Sequence, residues 1–409
     1  MSEQRIITLR EWEKPKPVSL LAVEAAALRS LQELGRLDVT WHGPTEAAVS
    51  GSAGYVGIAA LSETTQLIVR PHIPVASVLT LACFAYELEP PPDTLVEEAR
   101  LDASGPADWL ALLLTLEVEK LLALGLRYGY REVEEGLPYI RGRIDFGALR
   151  SGESKSGLVP CRFEDFVLDT AENRILRGTL EILAAGDLAP EIRRRLWRTL
   201  SVFRQVGFVR PTQLLFNQAR LNRLNSHYEP ALTLCRLVLE CAGLDVESGN
   251  VTTRGFFFSM ADVFEKAVER ALREGFGRRN VQSQREYRDR IRLVAGEPAI
   301  PVTFKPDNVI GPPGAPWLIV DAKYKQPLIE HHGERYRNPD LYQAFTYAVA
   351  LSAPAVLIYP RCNQNIDVTF EAHSNMVRVL AIDLAHDGLR QLPAQLRAGA
   401  LRPADICTV

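Results

Sequence analysis

A multidomain α/β architecture is predicted for this 409-residue chain: a β-rich N-terminal domain over 1–130, a mostly helical middle region over 131–250 and a C-terminal α/β domain over 251–409. Three observations carry the prediction. Short strand-like apolar runs separated by turn residues fill residues 5–73. Helical periodicity dominates 170–243. Strands then alternate with long helical patterns after residue 259, the order expected of a layered α/β unit.

In the first region the strand candidates are RIITL, LDVTWHG, YVGIAAL and QLIVRPHI, with a helix expected at 18–35 and the small-residue turn GSAG at 51–54. EPPPD at 89–93 reads as a linker or loop. The middle region opens with YIRGRIDF and VPCRFEDFVLD, both strand-like, and continues with helical patterns at 170–185, 190–206 and 229–243. The last region reads as helix 259–275, strand near 281–294, strand 301–310, a turn GPPGAP, strand 317–324, helix 338–352 and strand 355–360. No period of 20–50 residues recurs, which argues against a solenoid.

With 47% hydrophobic and 24% charged residues, the chain has apolar mass for two or three cores and is neither disordered nor fibrous. Its 47 Lys and Arg against 50 Asp and Glu exclude a globally basic coating protein, so any nucleic-acid surface must be a local patch. Two stretches depart from balance. From Glu87 to Glu135 there are 12 acids against four bases, a local charge of -8 that is ill suited to DNA. Between Glu191 and Arg223 there are eight arginines and one acid. Arg193, Arg194, Arg195 and Arg198 in that run are candidate DNA-phosphate contacts, set against the plainer reading of a solvated helix face.

The six cysteines form no CxxC pair, which leaves neither a zinc ribbon nor a four-cysteine iron-sulfur site with usable ligands. The N-terminus is charged within five residues, and the most apolar window, Trp109 to Leu126, is broken by Glu117, Glu119 and Lys120. No signal peptide or membrane span is expected, and the expected location is cytoplasmic.

The densest chemistry lies in PVTFKPDNVIGPPGAPWLIVDAKYK. The Pro/Gly turn joins two apolar runs, and Gly314 lies seven residues from both Asp307 and Asp321. Strands pairing symmetrically about that turn set the two aspartates opposite each other, where like charges destabilise unless compensated. Mg2+ (or Mn2+) supplies such compensation, since it accepts one or two carboxylates and completes its shell with water and phosphate oxygens. Side-chain alternation puts Lys323 on the Asp321 face, in reach of an attacking water or of charge building on phosphorus. On the preceding helical pattern Glu265 borders the apolar stripe Met260, Val263, Phe264, Ala267, Val268 and Leu272, and is either a surface acid or an accessory ligand. Gln343 and Tyr347, at i and i+4, share one helix face and are suited to hydrogen-bond a phosphate or the lysine, the plainer reading being a buried tyrosine with a satisfied hydroxyl. His331 and His332, in the polar run EHHGERY, read as exposed loop residues rather than ligands.

Asp307, then Asp321-Ala322-Lys323, with Glu265 upstream and Gln343-x-x-x-Tyr347 downstream, resembles the RecB-like branch of the PD-(D/E)xK (restriction-endonuclease-like) nucleases. PYIRGRIDF, FEDFVLDTAENRILRGTLEIL and NRLNSHYEPALTLCRLVLE resemble the middle of McrC proteins, and FFFSMADVFEKAV their entry into the nuclease domain. The resemblance implies a Mg2+-dependent DNA endonuclease subunit of a modification-dependent restriction system, acting on double-stranded DNA beside a McrB-like AAA+ GTPase hexamer that the N-terminal region stimulates. It implies metal ligation by Asp307, Asp321, the Ala322 carbonyl and Glu265, with catalytic roles for Lys323, Gln343 and Tyr347. The chain lacks GxxxxGK[ST], SGESKSG at 151–157 being wrongly spaced, so nucleotide hydrolysis is expected in another chain. Two further readings stand beside this one: a non-catalytic assembly factor for an AAA+ ring, and a stand-alone DNA repair nuclease.

Overall fold

A computed structural model describes residues 5–399 apart from 52–53, 99–100, 102–104, 152–156, 243, 249–250, 289, 292–301, 313, 327, 331–333, 337, 363–364 and 385. His331 and His332 lie outside the described residues. The chain divides into two compact units, one of residues 1–96 with 241–409 and one of residues 97–240.

This division differs from three consecutive blocks cut at 130 and 250, and strand pairing is the reason. A five-stranded sheet runs in the order Arg5–Arg10, Thr65–Arg70, Tyr55–Ala60, Val251–Ser259, Leu244–Ser248. Its N-terminal strands are therefore completed by a hairpin from beyond residue 240, with Phe257 opposite Gly57. The N-terminal part also carries more helix than a β-rich reading provides. Ala22–Glu33 has Ala25, Ala27, Leu28 and Leu31 buried, and Val75–Ala85 is buried along most of its length. A small antiparallel sheet of Lys16–Ser19, Glu46–Ser50 and Asp38–Trp41 shares the core of Leu28, Leu31, Val49 and Leu67.

The same unit contains a six-stranded sheet in the order Val281–Ser283, Asn308–Ile310, Leu318–Ala322, Ala355–Pro360, Asn375–Ile382, Asp367–Ala372. Three of its four inner strands, Leu318–Ala322, Ala355–Pro360 and Asn375–Ile382, are mutually parallel and largely apolar, as a sheet covered on both faces requires. Helix Asn338–Leu351 makes the crossover between Leu318–Ala322 and Ala355–Pro360, burying Ala344, Tyr347, Ala348 and Leu351 with Ile319, Leu357 and Val377. Helix Met260–Phe276 buries the stripe expected from its periodicity. Of the strands predicted at 281–294 and 301–310, the described residues form Val281–Ser283 and Asn308–Ile310, with a bridge joining Tyr287 and Phe304, and residues 289, 292–294 and 301 lie outside the described residues.

The second unit is mostly helical, built from Pro106–Leu124, Ala171–Ala184, Pro190–Leu200, Gln213–Gln218 and the greater part of Glu229–Ala242. It also holds a three-stranded sheet of Gly129–Leu137, Val159–Val167 and Arg143–Ile144, so only a dipeptide of YIRGRIDF is a strand. The apolar window near Trp109 is a buried helix, its Glu117 and Lys120 paired at 2.8 Å. Among the described residues no helix is long and apolar enough to cross a membrane.

Candidate functional site

Asn308 pairs with Val320 and Ile310 with Leu318, a register that, carried one residue further, sets Asp307 opposite Asp321. The symmetry about Gly314 read from the sequence is thus the observed one. Gly314 adopts φ 92° and Gly311 φ 134°, conformations that favour glycine and let this turn close. Asp321 is 2% exposed and stands at the carboxyl end of a parallel strand, where the sheet stops and side chains converge.

The electrostatics follow from that proximity. Burial pushes the Asp307 carboxyl up to about 7, and the charges of Asp321 and Glu265 push the same way. Opposing them, the Ala322 N–H donates to Asp307 Oδ2 at 2.9 Å. Lys323 Nζ lies 2.6 Å from Asp321 Oδ2. Burial draws the lysine pKa down, yet Asp321, Asp307 and Asp340 together hold it above its ordinary value, so Lys323 is a fixed cation. Glu265 is raised by burial and by Asp262, with Asp321 adding.

Gln284 joins two of the acids, and sequence reasoning missed it. Its Nε2 donates to Glu265 Oε1 and, at 3.3 Å, to Asp307 Oδ1, while its N–H donates to the Asp307 carbonyl at 2.9 Å. Gln284 sits at φ 52°, a left-handed position unusual for a side-chain-bearing residue, and it is this turn that aims the amide. No sequence signal marks it. Lys325 was also passed over: its Nζ contacts Asp340 Oδ1 at 2.7 Å, and Asp340 Oδ2 accepts from the Tyr359 hydroxyl at 2.7 Å.

On the crossover helix, Gln343 Nε2 donates to the Tyr347 hydroxyl at 2.8 Å. The tyrosine is nearly buried, its ring stacked on Phe304 at 5.3 Å. Burial raises its pKa, with Asp321 adding and the Gln343 hydrogen bond and Lys323 opposing, so the hydroxyl stands within the field of the acids and the lysine. The structure therefore brings Glu265, Asp307, Asp321, Lys323, Gln343 and Tyr347 to one end of the sheet. Among the described residues no three His, Cys, Asp or Glu side chains come close enough together to hold a metal ion. The donors available are two facing carboxylates and the nearby backbone, with Glu265 joined through Gln284.

Arg193, Arg194, Arg195 and Arg198 are on helix Pro190–Leu200 of the second unit, whose buried face is Ile192, Leu196, Thr199 and Leu200. Arg193 pairs with Asp187 at 3.1 Å, Arg194 with Glu191 at 3.0 Å, and Arg195 makes a two-pronged contact with Glu119 at 2.9 and 2.6 Å. Arg198 is exposed. Three of the four guanidiniums named as phosphate contacts thus have carboxylate partners.

Comparison with known proteins bears on the whole chain. It is 22% identical over 345 residues to the type IV methyl-directed restriction enzyme EcoKMcrBC of Escherichia coli (strain K12), covering 78% of this chain and 94% of that one. Its fold resembles a chain in a half-complex from the tetradecameric assembly of Thermococcus gammatolerans McrB AAA+ hexamers with bound McrC, at TM-score 0.63, 16% identity, 96% of this chain and 99% of that one. The model of the McrBC 5-methylcytosine restriction system component family matches residues 52–360, more than half of the sequence, and the chain belongs to that family.

Proposed function

We propose that this chain is the McrC-type nuclease subunit of a restriction system, a PD-(D/E)xK enzyme that hydrolyses phosphodiester bonds of double-stranded DNA with Mg2+ or Mn2+. The observation that carries the reading is the in-register pair Asp307 and Asp321, with Lys323 Nζ 2.6 Å from Asp321, at the carboxyl end of a parallel strand. The donor set suits a hard cation. Two carboxylates face each other, burial and its neighbours' charge raise the pKa of one to about 7, and a divalent ion removes that conflict. Asp307, Asp321 and the Ala322 carbonyl would hold it, with Glu265 set behind Gln284 as an accessory acid.

When bound, such an ion supplies an acidified water and neutralises charge on the phosphoryl oxygens. The chain's own residues do the rest. Lys323, kept charged, stands ready to hold a non-bridging oxygen as negative charge accumulates. Gln284 holds Glu265 and Asp307 at fixed separation, and the Gln343–Tyr347 pair presents a hydroxyl beside Asp321 and Lys323. Nucleotide hydrolysis belongs to a second chain, an AAA+ ring of the kind that bound McrC accompanies in the Thermococcus assembly.

The test is cleavage of modified duplex DNA by the full chain with its cognate AAA+ partner, GTP and Mg2+. Wild type cuts; Asp321→Asn and Lys323→Ala lose at least about 100-fold in rate, in line with removal of a metal ligand or of one charge-stabilising donor. Wild-type rates in both variants would reject the site. Equally fast cutting without the partner would reject the subunit role.

A further inference from the structure

An open hollow of about 390 Å³ lies by the edge strand Val281–Ser283 and the Pro/Gly turn. Gln282, Arg285, Tyr287, Arg288 and Arg290 line one side and the Pro/Gly turn the other. We propose that this hollow binds the sugar-phosphate backbone of double-stranded DNA next to the bond that is cut, with Arg285 and Arg290 as the phosphate contacts. The proposal rests on the nuclease reading and extends it to where the substrate is held.

Charge is the first support. Three guanidiniums face the hollow against one carboxylate, Glu286, and Arg288 takes that carboxylate at 2.9 Å. Among the described residues Arg285 is hydrogen-bonded only to the neutral Gln282 amide, with its guanidinium 5.4 Å from the Tyr287 ring centre. Arg290 has no ion pair among the described residues. Two positive charges are left without carboxylate partners on an exposed surface, the arrangement a phosphate run needs. The hollow near Lys266 differs, since there Arg270 pairs with Glu274, Arg273 with Glu269 and Arg278 with Glu87. On the helix Pro190–Leu200, Arg193, Arg194 and Arg195 are likewise paired with carboxylates.

Connection to the chemistry is the second. Gln282 and Arg285 flank Gln284, the residue whose amide bridges Glu265 and Asp307. Tyr287 stacks on Phe304 at 5.5 Å, and Phe304 stacks on Tyr347, so three rings run from the hollow to the catalytic hydroxyl. Backbone bonds between Tyr287 and Phe304, at 2.9 and 3.1 Å, hold the first two rings together. A polyanion approaching the facing carboxylates is repelled, and a pair of cations on a hollow joined to them through Gln284 and the three rings offsets that repulsion and positions the backbone.

The experiment measures anisotropy of a labelled mixed-sequence duplex with the full chain in chelator, where no cutting occurs, over a series of salt concentrations. Arg285→Ala/Arg290→Ala is expected to bind at least tenfold more weakly and to lower the slope of log K against log salt by about 1.8, two contacts at roughly 0.9 each. Arg285→Lys/Arg290→Lys should recover most of the slope, and Arg193→Ala/Arg194→Ala should leave it unchanged. An unchanged slope in the double alanine variant, with its melting temperature intact, overturns the proposal. So does equal weakening of GTP binding, which marks a nucleotide site instead. Failure of the nuclease reading is separable: wild-type duplex binding with no cutting under any metal and partner condition rejects catalysis and leaves the hollow as a DNA site.

Discussion

Asp307 and Asp321 face each other with unequal partners, and the inequality decides what each substitution does. Asp321 is ion-paired to Lys323, so Asp321→Asn strips a buried cation of its nearest counter-charge and no gain in stability is expected. Asp307 has no such pair, and its folded pKa of about 7 lies above the ordinary carboxylate value. A raised acid pKa means stability is fully present at low pH and is lost as pH rises through about 7. Asp307→Asn should therefore raise stability at pH 8 by roughly 1–3 kcal/mol and abolish cutting, read by urea melts and a cleavage assay. Equal stability of the two asparagine variants at pH 8 would count against this account. Glu11, distant in sequence from the Asp321-Ala322-Lys323 motif, follows the same logic. It is wholly buried, its Oε2 accepts from the His72 N–H and the Tyr324 hydroxyl at 3.2 Å each, and burial pushes its pKa to about 7 despite both bonds. Glu11→Gln should flatten the fall in melting temperature between pH 5 and pH 8. A fall as steep as wild type would show that other groups cause it.

Helix Pro190–Leu200 reads from its sequence as a basic face, and its packing gives that face to neighbouring acids instead. Arg195 is about 29% exposed and doubly bonded to Glu119, so Arg195→Ala should cost roughly 0.5–1 kcal/mol, whereas exposed Arg198→Ala should be neutral within error. A double-mutant cycle with Glu119→Ala checks it, and additive losses would reject the pairing. The strand Tyr55–Ala60 carries a sharper constraint. A Cβ at Gly57 would lie 2.3 Å from the Phe256 carbonyl oxygen and 2.8 Å from the Phe257 ring, on the strand pair that ties the N-terminus to residues 251–259. Gly57→Ala should destabilise by more than about 2 kcal/mol, the range of overpacked core sites, seen as a lowered melting temperature.

The completion of the N-terminal sheet by residues 244–259 bears on how division of labour can be tested. A fragment of residues 1–130 lacks two of the five strands and leaves the edge of Tyr55–Ala60 unpaired, so it is expected to aggregate rather than fold. Stimulation of an AAA+ partner must be measured with the full chain. The variant Asp307→Ala/Asp321→Ala should raise the partner's GTP turnover as wild type does while failing to cut DNA, because the acids lie at the end of the six-stranded sheet and not on the five-stranded one. Loss of stimulation together with cutting would mean the two activities share a structural element.

The hairpin and its aspartates are legible in the sequence, since a strong Pro/Gly turn fixes register locally and register alone sets Asp307 against Asp321. The helix carrying Glu265 and the helix carrying Gln343 and Tyr347 are legible for the same reason: their apolar periodicity is a property of short stretches of chain. What tertiary structure alone decided depends on contacts between residues far apart in sequence. Gln284 becomes a bridge only because a left-handed turn aims it at Glu265 and Asp307. Glu11 becomes a buried acid only when Tyr324, 313 positions away, closes over it. Arg195 of the arginine run is taken up by Glu119, 76 positions away. Composition counts charges but not their partners, and a chain's domain boundaries follow strand pairing, which local periodicity does not encode.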